Sequence, residues 1–125
     1  MRKVICVDLD GTILQWFKGE WDATKYGEPV PGAKEGLAAL IRDRWWVIIY
    51  TCRGDRNKVA ETLLSYGIQK RLHYSAINRR KNVLPGTNPG KIGADVYLDD
   101  RNIEFRGDWS DAYKRISKFQ PWSEK

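Results

Sequence analysis

The sequence predicts an α/β fold, a three-layer Rossmann-like parallel sheet flanked by helices. Three observations carry that prediction. Apolar runs at 3–8, 45–50 and 95–99 lack alternation and read as strands buried on both faces. Amphipathic helical patterns lie between them, and the connections are short. In such sheets ligands bind beyond the carboxyl ends of the strands, so those ends are the places to seek chemistry.

Lys3-Val4-Ile5-Cys6-Val7-Asp8 is the first run and, ending in acidic residues and glycine, reads as a central strand. Residues 11–30 leave room only for a short flap, about 13–30, expected as a hairpin with Lys18-Gly19 at its tip. Pro31-Gly32 introduces a helix over 33–44, with Leu37, Leu40 and Ile41 at helical spacing. Trp45 to Tyr50 form the second buried strand. Asp55 or a neighbour caps a second helix running to about Tyr66, with Val59, Leu63 and Leu64 on one face and Gly67 as its stop. Residues 73–77 form a weaker strand, and 79–90 a polar loop rich in glycine and proline. After the strong strand at 95–99 come a short strand at 103–105 and a helix over 110–119. Residues 1–119 make a single domain with no inserted cap, and 120–125 read as a frayed tail.

The bulk numbers suit one folded domain: 125 residues, 42% hydrophobic and 30% charged. No apolar run approaches the roughly 20 residues that span a bilayer, and no signal-peptide pattern follows Met1, so the cytoplasm is the expected compartment. A net charge of +6 favours anionic partners, either a phosphorylated small molecule or nucleic acid. Cys6 and Cys52 fit neither a disulfide framework nor a zinc-ligand spacing and read as free thiols.

Strand one delivers Asp8-Leu9-Asp10-Gly11-Thr12, strand two Thr51-Cys52-Arg53, and the late strand Asp99-Asp100-Arg101. Four carboxylates therefore converge on one edge. Two like charges about 4 Å apart repel by on the order of 4 kcal/mol at an effective dielectric near 20, so the cluster needs a cation or raised pKa values. Oxygen ligands without a histidine or cysteine cluster point to a hard cation, Mg²⁺ above zinc. Chemically, one carboxylate attacks phosphorus while a second protonates the leaving oxygen and later activates water, roles that Asp8 and Asp10 can divide. A hydroxyl at Thr51 can hold phosphoryl oxygens. Trp16, Phe17, Trp21 and Tyr26 in the flap either stack on a base or sugar or pack the flap onto the core. Trp45, Trp46 and Trp109 read as core or rim packing, and His73 as structural. Arg79-Arg80-Lys81 is either a solvated loop or a grip on a phosphate backbone.

In order and in strand context, these segments resemble the motifs of the haloacid dehalogenase superfamily across about residues 3–101. Asp8-Leu9-Asp10-Gly11-Thr12 is similar to the first motif, Thr51 to the second, a downstream lysine to the third, and Asp99-Asp100 to the fourth. Receiver domains share the size and acidic cluster but lack Asp-x-Asp-Gly-Thr after strand one. The resemblance implies a capless member with Asp8 as nucleophile and metal ligand. It implies Asp10 as general acid/base with its main-chain carbonyl on the metal, Asp100 as a direct ligand and Asp99 in support. Thr51, Cys52, Arg53 and a lysine would bind the phosphoryl group. Arg53 also resembles the arginine of a Thr/Ser-x-Arg segment in polynucleotide phosphatases, against the alternative of a surface arginine.

The lysine is Lys91, in Lys-Ile-Gly-Ala-Asp before Asp99, or alternatively Lys81. At about 3.3 Å per residue a fully extended 90–99 would put Lys91 roughly 25 Å from Asp99, so a turn near Gly93-Ala94 is required. An uncovered site can admit a macromolecular phosphate or be closed by another subunit. The expected function is a Mg²⁺-dependent phosphomonoester hydrolase acting on nucleotides or other small phosphates. The alternatives are a nucleic-acid end phosphatase and a non-catalytic metal- and phosphate-binding module.

Overall fold

Val4 to Val7 are buried, which requires cover on both faces and a neighbour on each edge. The computed structural model, which describes residues 2–80, 85–88 and 90–124, supplies both. Strand β1 (Val4–Asp8) lies between β2 (Trp46–Tyr50) and β4 (Val96–Leu98), and β3 (Ala76–Ile77) flanks β2. The order is β3-β2-β1-β4, and every pairing is parallel. Helices α1 (Ala33–Arg42), α2 (Arg56–Ser65) and α3 (Trp109–Ser117) complete the expected α/β architecture. No helix among the described residues is long and apolar enough to cross a membrane.

Alternation along each strand divides the interior. Ile5, Val7, Val47 and Ile49 join Leu37 of α1 and Val59 and Leu63 of α2, extended by Leu9, Ile13, Leu14 and Ile68. Val4, Cys6 and Ile48 face the other way, onto Ile92. Fully burying such a side chain contributes about 1.5–3 kcal/mol, so the first cluster dominates the stability of the sheet. Asp55 caps α2 as expected, its carboxylate accepting from the Lys58 N–H at 3.0 Å. Gly67, at φ 77°, ends that helix in the left-handed region.

Register carries the site. Asp8 pairs with Tyr50 and Val7 with Leu98, so Asp8, Thr51 and Asp99 leave three adjacent strands at the same level.

Several expectations are corrected. The third strand holds only Ala76–Ile77. His73 lies in the preceding turn, where its N–H donates to the Gln69 carbonyl and its Nδ1 accepts from the Gln69 N–H, both at 2.9 Å. That local closure takes the backbone away from β2. Residues 103–105 form no strand: Phe105 turns onto Trp109, with ring centroids 5.6 Å apart, and the Glu104 carbonyl accepts from Arg115 of α3. The flap pairs only at its base, through Val30 N–H to Ile13 O at 2.8 Å and Gln15 N–H to Glu28 O at 2.7 Å. Beyond that base it opens into a loop rather than a hairpin ladder.

Trp109 does not pack into the core but stands 75% exposed. The tail is not frayed either. Pro121 is buried, and the Trp122 indole N–H donates to the Gly11 carbonyl at 2.7 Å, at the head of a 3-10 turn (Trp122–Glu124). Lys81, the alternative lysine, lies outside the described residues.

Candidate active site

Where β1 ends, Asp8 meets Asp99 and Asp100, each offering a carboxylate oxygen within 4.8 Å of the others. All three are half-buried. The Asp8 carboxyl is pushed up to about 8, first by burial, then by the charge of Asp99 and by its contact with Asp100. The Thr12 hydroxyl approaches Asp8 Oδ2 at 3.4 Å.

Asp100 is held from the flap: the Trp16 indole N–H donates to Oδ2 at 2.9 Å, while Oδ1 is buried with no hydrogen-bond partner. A buried carboxylate oxygen left unpaired is costly, and a cation is the partner its chemistry accepts. Gly11 makes room for this arrangement. At φ 90° it sits in the left-handed region, and a Cβ there would lie 2.0 Å from Asp100 Oδ2 and 2.5 Å from Trp16 Nε1. The glycine of the Asp-x-Asp-Gly segment thus serves close approach as well as a turn.

Asp10 does not join the trio through its carboxylate. Its Oδ2 and Oδ1 accept from Arg53 Nε and Nη2, each at 2.9 Å, in a fork-to-fork pair whose side chains are 4% and 2% exposed. Arg53 is therefore neither a surface arginine nor open to a phosphoryl group. Nη1 and Nη2 also donate to the carbonyls of Ala23 and Lys25, and its guanidinium lies 3.9 Å from the Tyr26 ring centroid and 4.6 Å from that of Trp21. Burial opposes its charge, but Asp10 outweighs that and raises the Arg53 pKa. The flap grips Arg53, and Arg53 holds Asp10.

Thr51 is fixed by a residue that motif reading missed. Asn78, at φ 51°, accepts the Thr51 N–H on Oδ1 and donates from Nδ2 to the Thr51 carbonyl, both at 2.8 Å. The Thr51 hydroxyl accepts from the Arg53 N–H at 3.1 Å. An asparagine directly after a short apolar run was the available signal, because asparagine tolerates the left-handed region and bonds nearby backbone. Cys52 is exposed and does not line the cleft, whereas burial pushes the Cys6 thiol up to about 11.

Lys91 lies with Asp8, Tyr50, Tyr97 and Asp99 around a cleft of about 620 Å³. The turn required to bring it there is present. The Tyr97 hydroxyl accepts from the Ala94 N–H at 3.1 Å and donates to the Ile92 carbonyl at 2.5 Å, folding 92–94 back over β4. Arg101, another residue unassigned from sequence, sits 4.0 Å from Asp100 Oδ2 with its guanidinium 4.9 Å from the Trp16 ring centroid.

A solved structure of a conserved protein from Bacteroides thetaiotaomicron matches this chain. The TM-score is 0.64 at 25% identity, over 98% of this chain and 96% of that one. The α/β fold is therefore shared from end to end. No protein-family profile and no curated protein matches the sequence.

Proposed function

We propose that the chain is a Mg²⁺-dependent phosphomonoester hydrolase of the haloacid dehalogenase type, with Asp8 as nucleophile. The observation that carries this reading is the partnerless Asp100 Oδ1, buried in a trio of carboxylates beside Asp8. Asp8, Asp99 and Asp100 would hold the ion, and all-oxygen donors suit Mg²⁺. When bound, it would favour the carboxylate form of Asp8 and offset charge on the phosphoryl oxygens.

Asp8 then attacks phosphorus, and the bond to the leaving alkoxide breaks as Asp10 gives that oxygen its proton. Water next attacks the aspartyl-phosphate, Asp10 takes the water's proton, and inorganic phosphate departs. The fork to Arg53 holds Asp10 as an accepting carboxylate, so this acid role would require that pair to open, and the flap that grips Arg53 would govern how readily it does. The Thr51 hydroxyl and Lys91 bind the phosphoryl oxygens. Phe17 and Trp21, exposed on the flap, offer ring faces to a nucleobase.

Hydrolysis of nitrophenyl phosphate and nucleoside monophosphates, with and without Mg²⁺, tests the reading. Activity should need the metal and vanish in Asp8→Asn, and a wild-type protein inert across that panel would refute it.

A second reading, a nucleic-acid end phosphatase, is favoured by the β3 edge. Two cavities there share Lys70 and Arg79 and add Arg2, Arg56 and Arg71, with no carboxylate in either lining. Faster turnover of a terminally phosphorylated oligonucleotide than of free nucleotides, falling steeply with salt, would select it.

A further inference from the structure

Arg53, Arg101, Arg106 and Arg115 all sit beside carboxylates, at the flap, the acidic trio and α3. The β3 edge of the sheet is different. Arg2, Arg56, Lys70, Arg71 and Arg79 gather there, all exposed, and among the described residues none of them forms an ion pair with a carboxylate. Asp55, adjacent to Arg56 in sequence, is occupied in capping α2. The five cations line two cavities, of about 480 and 270 Å³, that share Lys70, Ala76 and Arg79 and so make one continuous groove around the strand.

The loop that carries Lys70 and Arg71 is fixed from within. Gln69 and His73 exchange two hydrogen bonds of 2.9 Å, and the Arg71 N–H donates to the Tyr74 carbonyl at 2.7 Å. Arg71 itself takes φ 77°, in a region that favours glycine or asparagine. A backbone ordered in advance loses little freedom when a ligand arrives. Rings lie among the charges: half-buried Trp45 and Trp46 line the larger cavity, Lys3 Nζ stands 5.9 Å from the Trp45 ring centroid, and Tyr74 lines the smaller cavity. From Trp46 to Ile49, the partner of Ile77, the groove follows the strand for about 10 Å before it reaches Arg79. That length takes about three phosphates at 3.4 Å spacing.

We propose that the β3-edge groove binds single-stranded nucleic acid, with the five cations on its phosphates and Trp45 and Trp46 against its bases. Cations interleaved with aromatic rings match a chain that carries a charge and a flat apolar face at every unit. A duplex turns its base faces inward and leaves the rings unused. The upper end of the groove adjoins the site, because Arg79 follows Asn78, whose side chain holds Thr51. Binding here is separate from hydrolysis and stands whether or not Asp8 is a nucleophile.

Fluorescence anisotropy on the full chain tests the assignment, with labelled oligonucleotides of about 15 nucleotides, DNA and RNA in parallel. Both ends carry hydroxyls and the buffer contains chelator, so no turnover enters the signal. Failure here leaves the hydrolysis assay untouched, and failure there leaves this one untouched. For single strands each phosphate contact adds about −0.7 to the slope of log affinity against log salt, so five engaged cations predict about −3.5. Lys70→Gln with Arg79→Gln should weaken binding about tenfold and reduce that slope by about 1.4. Both side chains are exposed, so the far-ultraviolet circular dichroism should not change. Should that pair disturb folding, Arg56→Gln alone should reduce the slope by about 0.7. Lys114→Gln with Lys118→Gln on α3 removes the same charge elsewhere and should leave the affinity as it was. Absence of binding at low salt, an equal loss in the α3 pair, or tighter binding of the matching duplex overturns the proposal. Inorganic polyphosphate that displaces the strand better than unlabelled oligonucleotide, phosphate for phosphate, overturns it as well.

Discussion

Asp8 has a consequence for stability that can be measured without any substrate. In the unfolded chain its proton leaves near the ordinary value of 3.8, whereas in the folded, metal-free protein it stays until about pH 8. Between those values the folded state holds more proton than the unfolded one, so the Asp8 contribution is greatest at acid pH and is lost as pH rises through that window. In chelator, the wild-type melting temperature should therefore fall relative to Asp8→Asn from about pH 4 to pH 8, and added Mg²⁺ should restore it at the upper end. Parallel curves for the two proteins would contradict the burial and crowding assigned to Asp8. Arg53 permits a second test. Replacing it with methionine leaves Asp10 charged and unpaired in the interior, which should destabilise the fold by about 3–5 kcal/mol in denaturant titrations. Lysine should rescue little, because a point charge cannot reproduce the fork across both carboxylate oxygens.

The strong strands and the first two helices were legible because each carries its own pattern: unbroken apolar runs for β1, β2 and β4, and helical spacing with a capping aspartate for α2. Leu63, buried in α2 against that sheet, should cost about 2–5 kcal/mol when cut to alanine, read by thermal or chemical unfolding. Exposed Leu64, next to it in sequence, should change little. The turn near Gly93-Ala94 was legible as a geometric requirement, but the Tyr97 hydroxyl that holds it was not, and neither was the hydrogen-bonded loop around His73 that cuts β3 short. The site divides in the same way. Asp8, Thr51, Lys91, Asp99 and Asp100 advertise themselves through strand ends, but the Asp10–Arg53 pair joins positions 43 apart through flap carbonyls that no local pattern encodes.

Across the whole molecule, the cover over the strand ends comes from two segments instead of one inserted domain. The flap reaches the acidic trio through Trp16, and the carboxyl-terminal turn reaches the preceding loop through Trp122, with Glu124 3.9 Å from Arg101. The net charge of +6 favours the approach of anions over long range. The two indoles have a further use. Both point their N–H groups at the carboxyl ends of the strands, one to the Asp100 carboxylate and one to the Gly11 carbonyl. An indole's emission responds to its hydrogen-bond partner and to nearby charge, so under the proposed function Trp16 would report cation occupancy beside Asp100. Titration with Mg²⁺ should shift the tryptophan fluorescence of the unlabelled protein, and Trp16→Phe should remove most of that change. The proposed ion could then be followed in real time without any substrate present.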